Sequence, residues 1–266
     1  MRVLSLVSAF GVVSSLAMSA AAQDAPQNRQ ACEGADPTSS LSQQVAGCTA
    51  VINAGNATPA YLALTFNNRG LAYTEQQKFA QAIADFDQAI RLEPDNAEAF
   101  FNRGNAYFAQ QLYAQSIAEF DQAIRFKPDY AIAFNNRGYA YSEQKQYARA
   151  ITDFDQAIRL RPDLADPFNN RGNAYAHLKQ DARAIADFDQ AIRLQPDLAD
   201  PFINRGLVYA DQQQYARAIA DYDQAIRLAP NEAVAFYNRG LAKSALGRKD
   251  EAAADMARAK ALDPSL

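Results

Sequence analysis

The sequence predicts an all-α solenoid of stacked helix pairs, and three observations predict it. The tripeptide Asn-Arg-Gly stands at 68–70 and returns at 102–104, 136–138, 170–172, 204–206 and 238–240, at a constant interval of thirty-four residues. Each interval holds two apolar-periodic stretches, one around Asn-Arg-Gly and one ending in a phrase of the D-F-D-Q-A-I-R-L kind. A proline then closes each unit, at Pro94, Pro128, Pro162, Pro196, Pro230 and Pro264, as it does where a helix ends. A fixed period of about twenty to fifty residues marks an array whose units bury their apolar faces only by stacking on each other.

The first segment stands outside that array. Arg2 precedes an apolar stretch, Val3 to Met18, interrupted by serines, and Ser19-Ala20-Ala21-Ala22-Gln23 offers an A-x-A cleavage site. Residues 1–22 therefore read as a secretory signal, too short and serine-rich for a membrane span of about 20 residues. The mature chain is expected to be exported, to a bacterial periplasm or outside the cell, with no membrane span of its own.

The two cysteines, Cys32 and Cys48, are expected to pair as a disulfide in an exported chain. Closing that loop adds about 3 kcal/mol in the chain-entropy model. No histidine or further cysteine stands near them to make a zinc site, and the spacing is not that of a C-x-x-C redox pair. Residues 41–54 (LSQQVAGCTAVINA) look like the second helix of a degenerate unit, with Cys48 in the place of the core aromatic. Residues 23–62 are thus expected to form a disulfide-pinned cap, with a link of about eight residues that includes Gly55 and Pro59.

Six full repeats follow, at 63–96, 97–130, 131–164, 165–198, 199–232 and 233–266. The first reads Phe66-x-x-Arg69-Gly70-x-x-Tyr73, then Ala82-x-x-x-Phe86, Ala89 and Pro94. This pattern resembles the tetratricopeptide repeat, W-x-x-L-G-x-x-Y, A-x-x-x-F, A and P. Two departures run through every copy: Phe stands for Trp and Arg for Leu. The sixth copy departs further, with Lys243 in the Tyr slot and Met256 in the Phe slot. The resemblance implies a right-handed α-solenoid, a superhelix short of a full turn, built of helix-turn-helix units.

Gly70 and its copies are expected to let the first helix of each unit approach the second, where Ala82, Ser116, Ala150, Ala184, Ala218 and Ala252 are also small. The sixth unit places Ala253 and Lys260 where earlier copies carry Ile, which makes its outer face polar, as a capping repeat requires.

The arginine of Asn-Arg-Gly needs a partner if it faces the core. An acid stands sixteen residues after each copy, giving the expected inter-helix pairs Arg69–Asp85, Arg103–Glu119, Arg137–Asp153, Arg171–Asp187, Arg205–Asp221 and Arg239–Asp255. A second acid, two residues further on in the first five copies, is expected to pair on the helix surface with the arginine four residues after it, as in Asp87–Arg91.

The asparagine carries the functional expectation. In tetratricopeptide arrays the first helices line a concave groove, and this slot usually points into it. Asn68, Asn102, Asn136, Asn170, Asn204 and Asn238 would form a ladder able to donate to and accept from the backbone of an extended peptide. The ladder resembles the one in the superhelix of O-linked N-acetylglucosamine transferases, without anything like their catalytic domain. The competing reading is that the amides only tie neighbouring helices together. Phe101, Phe108, Tyr139, Ile203 and Tyr237 are candidate groove anchors, and Glu75, Glu98, Glu143 and Asp211 make the lining mildly acidic. Asp166 and Asp200, each before a proline, are expected to serve as helix starts rather than ligand contacts. The family's carboxylate-clamp mode needs groove lysines, and the matching slots hold Asn67, Phe101 and Asn135.

These features point to a non-catalytic scaffold for a protein or peptide partner, neutral to basic and partly apolar. The alternative is a self-associating spacer of the cell envelope. A net charge of −4 argues against a nucleic-acid partner. No phosphate loop, G-x-S-x-G phrase or metal-ligand cluster is present, His177 is the only histidine, and no catalytic residue, metal or cofactor is expected.

Overall fold

The computed structural model describes residues 26–34 and 40–266, so the leader expected at 1–22 lies outside the described residues. Among those described, the chain is an all-α solenoid of fourteen helices with no strand. The described residues divide into two units, those up to 95 and those from 96 to 266.

The first unit holds α1 (Pro26–Cys32), α2 (Leu41–Ala54), α3 (Pro59–Glu75) and α4 (Phe79–Leu92). Ser40 starts α2 with a capping box: its hydroxyl accepts from the Gln43 backbone N–H, and the Gln43 carboxamide accepts from the Ser40 backbone. Cys32 and Cys48 are joined by a disulfide that ties α1 to α2, and both are fully buried. Gly47 lets the two helices meet, since a Cβ there would stand 2.7 Å from the Asn28 carbonyl. The link to the array is shorter than the sequence suggested. Pro59 occupies the first turn of α3 behind the cap Thr58, so only Gly55 to Thr58 connect the helices. A proline at that position loses no helical hydrogen bond, so the helix starts there and absorbs half of the expected link.

The second unit holds five helix pairs: α5 (Ala97–Ala109) with α6 (Tyr113–Phe126), α7 (Ala131–Glu143) with α8 (Tyr147–Leu160), α9 (Ala165–His177) with α10 (Asp181–Leu194), α11 (Asp200–Asp211) with α12 (Tyr215–Leu228), and α13 (Ala233–Ala245) with α14 (Lys249–Leu262). Each helix packs on its partner and on the next helix in the chain.

One contact explains the glycine of every Asn-Arg-Gly. A Cβ on Gly70, Gly104, Gly138, Gly172 or Gly206 would lie 2.6–2.7 Å from a ring carbon of Phe86, Phe120, Phe154, Phe188 or Tyr222 on the second helix. Those rings are fully buried and each contributes about 1.5–3 kcal/mol. At Gly240 the nearest atom is the Met256 methyl, at 3.1 Å.

The turn inside each repeat places one residue in the left-handed region. These residues are Gln77, Gln111, Lys145, Lys179 and Gln213, with φ of 57–60°, and only the sixth repeat uses glycine, Gly247. The turn is held by a repeated backbone bond, from Lys78 N–H to the Tyr73 carbonyl in the first copy and from Arg248 to Lys243 in the last.

Candidate functional site

The arginines come first, because they fix the first helices on which the groove is built. In four repeats of the second unit the guanidinium spans two acids. Arg137 donates from Nε and Nη2 to Asp153 at 2.8 and 2.6 Å, and from Nη1 to Asp121 of the preceding repeat at 2.6 Å. Arg171 does the same with Asp187 and Asp155, Arg205 with Asp221 and Asp189, and Arg239 with Asp255 and Asp223. Arg69 donates to both oxygens of Asp85, and Arg103 places Nε and Nη2 on one oxygen of Glu119. Each guanidinium also lies 5.4–5.6 Å from the ring of the phenylalanine three residues before it.

This corrects the expectation for the second acid. Asp121, Asp155, Asp189 and Asp223 do not serve as i,i+4 surface partners; each receives the arginine of the next repeat. The neighbouring arginine, Arg125 for example, donates to Gln122 instead. The physical reason is burial. The guanidinium held between repeats is largely excluded from water and demands two acceptors, whereas Arg125 is solvated. The first unit follows the same rule with a different acceptor. Thr49 is the ninth residue of α2, as Asp87 is of α4, and its hydroxyl accepts from Nη1 of Arg69 at 2.9 Å.

The asparagines sit where both sequence readings meet. The side-chain amide of Asn136 donates to Asn105 at 2.9 Å, that of Asn170 to Asn135 at 3.1 Å, and that of Asn204 to Asn169 at 3.0 Å. Each bond ties one first helix to the next, as the competing reading held. Asn102 is buried, and Asn68, Asn136, Asn170, Asn204 and Asn238 are half-buried. Asn204 also lines three adjoining cavities, of about 350, 220 and 300 Å³, between α7, α9, α11 and α13, and Asn170 lines the first and third of them. Each of these two residues therefore bonds an asparagine of the preceding first helix and also lines a cavity.

A further cavity-lining slot is the residue after the glycine, which sequence reasoning did not single out as a row. It holds Tyr139, Asn173, Leu207 and Leu241 in successive repeats. Tyr139, Leu207 and Leu241 are 45%, 40% and 47% exposed. Asn173 lines all three cavities, and its side chain makes no hydrogen bond to the protein among the described residues. The available signal was variation: this slot holds leucine, asparagine or tyrosine beside a phrase that does not change.

The other candidate residues divide. Phe101 is half-buried, with Phe120 at 5.7 Å and Tyr130 at 5.0 Å between ring centroids, so its ring serves packing. Phe108 stacks on Tyr139 at 5.1 Å. Ile203 is buried beneath the cavity that it lines, and Tyr237 is half-buried. Glu143 and Asp211 line the groove, and Asp200 does so while also opening α11. His177 lies at the groove edge, its ring parallel to Tyr147 at 4.7 Å.

Known proteins place this architecture. A TPR repeat model matches residues 70–111, 104–145 and 206–247, and two tetratricopeptide repeat models match 131–164 with 165–198, and 233–266. No curated protein is a match at the level of sequence. Among solved structures, a tetratricopeptide repeat protein of Parabacteroides merdae superposes with a TM-score of 0.72 at 20% identity, over 89% of this chain and 92% of that one. PilW, a widely conserved type IV pilus biogenesis factor, gives 0.70 at 22% identity over 76% and 94%. YrrB, a TPR protein with an unusual peptide-binding site, gives 0.53 at 23% over 65% and 89%. At these identities the likeness is one of fold, and together with the repeat matches it supports a single statement: the chain belongs to the tetratricopeptide repeat family.

Proposed function

We propose that the chain is a non-catalytic scaffold that binds an extended segment of a protein partner in the groove between its first helices. The observation that carries this reading is the row Tyr139, Asn173 and Leu207. Unlike side chains stand at one slot of consecutive repeats, Tyr139 and Leu207 exposed and Asn173 half-buried, over cavities that Asn170 and Asn204 help to line. Amides suit a peptide backbone of any sequence, and the varying slot reads side chains. A net hydrogen bond contributes about 1 kcal/mol, whereas association costs at least ~4 kcal/mol. The amides therefore need the aromatic and apolar anchors, and the expected affinity is about micromolar.

The partner is neutral to basic, because Glu143, Asp200, Asp211 and Glu232 line the groove. The leader pattern at 1–22 and the Cys32–Cys48 disulfide support an exported chain, periplasmic in a bacterium or secreted. The peptide-binding site named for YrrB and the pilus-assembly role named for PilW agree with such a scaffold.

Fluorescence anisotropy with labelled unstructured peptides, basic and partly apolar, tests the reading. Asn173→Ala with Leu207→Ala is expected to weaken binding at least about tenfold with melting unchanged, since neither side chain is buried in the core. Binding that ignores both changes contradicts it. The exposed Leu241 and Leu246 favour a second reading, self-association as an envelope spacer. A sizing column that shows concentration-dependent oligomers, lost in Leu241→Ser with Leu246→Ser, would support that reading.

A further inference from the structure

Building on the groove reading, we propose that Tyr139, Glu143 and Asp200 form a subsite for one arginine side chain of the bound strand. The ring of Tyr139 is backed by Phe108, stacked at 5.1 Å with 29° between planes, and is nearly half exposed. It lines two of the three cavities, so one aromatic surface is held in place and offered to the groove. Glu143 stands one helical turn further along α7, and Asp200 comes from the first turn of α11. Both carboxylates are exposed and both act on the same phenol: burial, then the fields of Glu143 and Asp200, push the Tyr139 hydroxyl above its ordinary value.

Neither carboxylate has a cationic partner among the described residues. Glu143 accepts from the Tyr113 hydroxyl at 3.3 Å, which leaves its charge in place. The acid at the other end of the groove differs, because Asp211 is already paired with Lys179 at 3.0 Å. Negative charge without a counter-charge is thus gathered around one exposed ring. A cation set over such a ring is attracted to its face. A planar guanidinium can stack there and at the same time donate two hydrogen bonds to a carboxylate, which the compact ammonium of lysine does less well.

The experiment pans a display library of random ten-residue peptides against the full chain. Enriched peptides are expected to share an arginine at one position. Replacing that arginine by alanine should weaken binding about tenfold, and by lysine less. Glu143→Gln with Asp200→Asn should erase the arginine preference while leaving residual binding that still needs Asn173 and Leu207. Peptides that need Asn173 and Leu207 but show no arginine preference would overturn the subsite and leave the groove standing, as would a preference that survives the double variant. A library that yields no peptide, or peptides indifferent to Asn173→Ala with Leu207→Ala, would overturn the groove and the subsite together.

Discussion

The third to fifth repeats of the array and the sixth, all in the second unit, are built on one plan, yet their arginines do not live in the same surroundings. Arg137, Arg171 and Arg205 each lie between one acid of their own repeat and one of the repeat before. Arg239 does too, but its own acid, Asp255, takes a second cation, Lys243 at 2.8 Å. Lys243 fills the slot that tyrosine holds in the earlier copies. Further along α14, Ala257 stands where those copies carry the acid that serves the next arginine, so the outer face of the sixth repeat offers no such acceptor. The difference teaches what the repeated charges are for. The first acid closes a repeat on itself, and the second joins it to its neighbour.

The largest expected effect breaks that comparison directly. Arg171→Leu strands Asp155 and the buried Asp187, and should cost about 3 kcal/mol, read as a shift of the urea midpoint. Arg239→Leu should cost less than half as much, because Lys243 still neutralises Asp255. Equal losses would mean that the terminal lysine does not substitute.

The glycines give the next contrast. Gly138→Ala drives a methyl to 2.7 Å from the buried Phe154 ring and should destabilise by about 2 kcal/mol despite the better helix propensity of alanine. Gly240→Ala brings a methyl no nearer than 3.1 Å to the movable end of Met256, 3.2 Å to the Ala252 carbonyl and 3.3 Å to the Asp255 Cβ, and should cost less than half as much. A smaller change of opposite sign is expected at Tyr222, which occupies the ring slot that phenylalanine fills in the first four repeats. Its hydroxyl is buried without a partner, so Tyr222→Phe should stabilise by about 1 kcal/mol in thermal melts.

Acid titration sharpens the comparison with the smallest effect. Burial pushes the Asp255 carboxyl up, but hydrogen bonds from Arg239 and Lys243 and their charges outweigh it and hold the group below its ordinary value. A lowered native value means that the contribution is fully present above the unfolded pKa of about 3.9 and is lost as pH falls through the native one. Asp255→Asn should therefore cost most near neutrality, and the difference from wild type should shrink below about pH 4. A difference constant from pH 7 to pH 2.5 would contradict the assignment.

The fold was legible because stacking forces periodicity: the period, the closing prolines and the Gly–Phe pairing all repeat, and the repetition carries the geometry. The link before α3 was read too long, because Pro59 looked like a breaker when it is a helix start. The second acid was misread because Asp121 and Arg125 satisfy the i,i+4 rule, and a local rule is blind to an arginine sixteen residues onward across an interface. The asparagine row was half legible. Asn170 and Asn204 line a cavity, but the same amides bond asparagines of the preceding first helices, a dual use that spacing does not reveal. Tyr139 was picked out singly, but the slot after the glycine was not seen as a row because its residue type is not constant. In the proposed reading the invariant phrase builds the wall, and the varying slot supplies the chemistry that a partner would meet.

The central claim is that the amides of Asn170 and Asn204, though bonded to Asn135 and Asn169 of the preceding first helices, still meet a bound strand. The side-chain NH₂ resonances of Asn170 and Asn204 test it most directly, followed by NMR as a peptide selected by the chain is titrated in. The account predicts that both pairs shift in proportion to occupancy, together with that of Asn173, while the exposed Asn231 stays put. Saturating binding that leaves all three groove amides unmoved would contradict it.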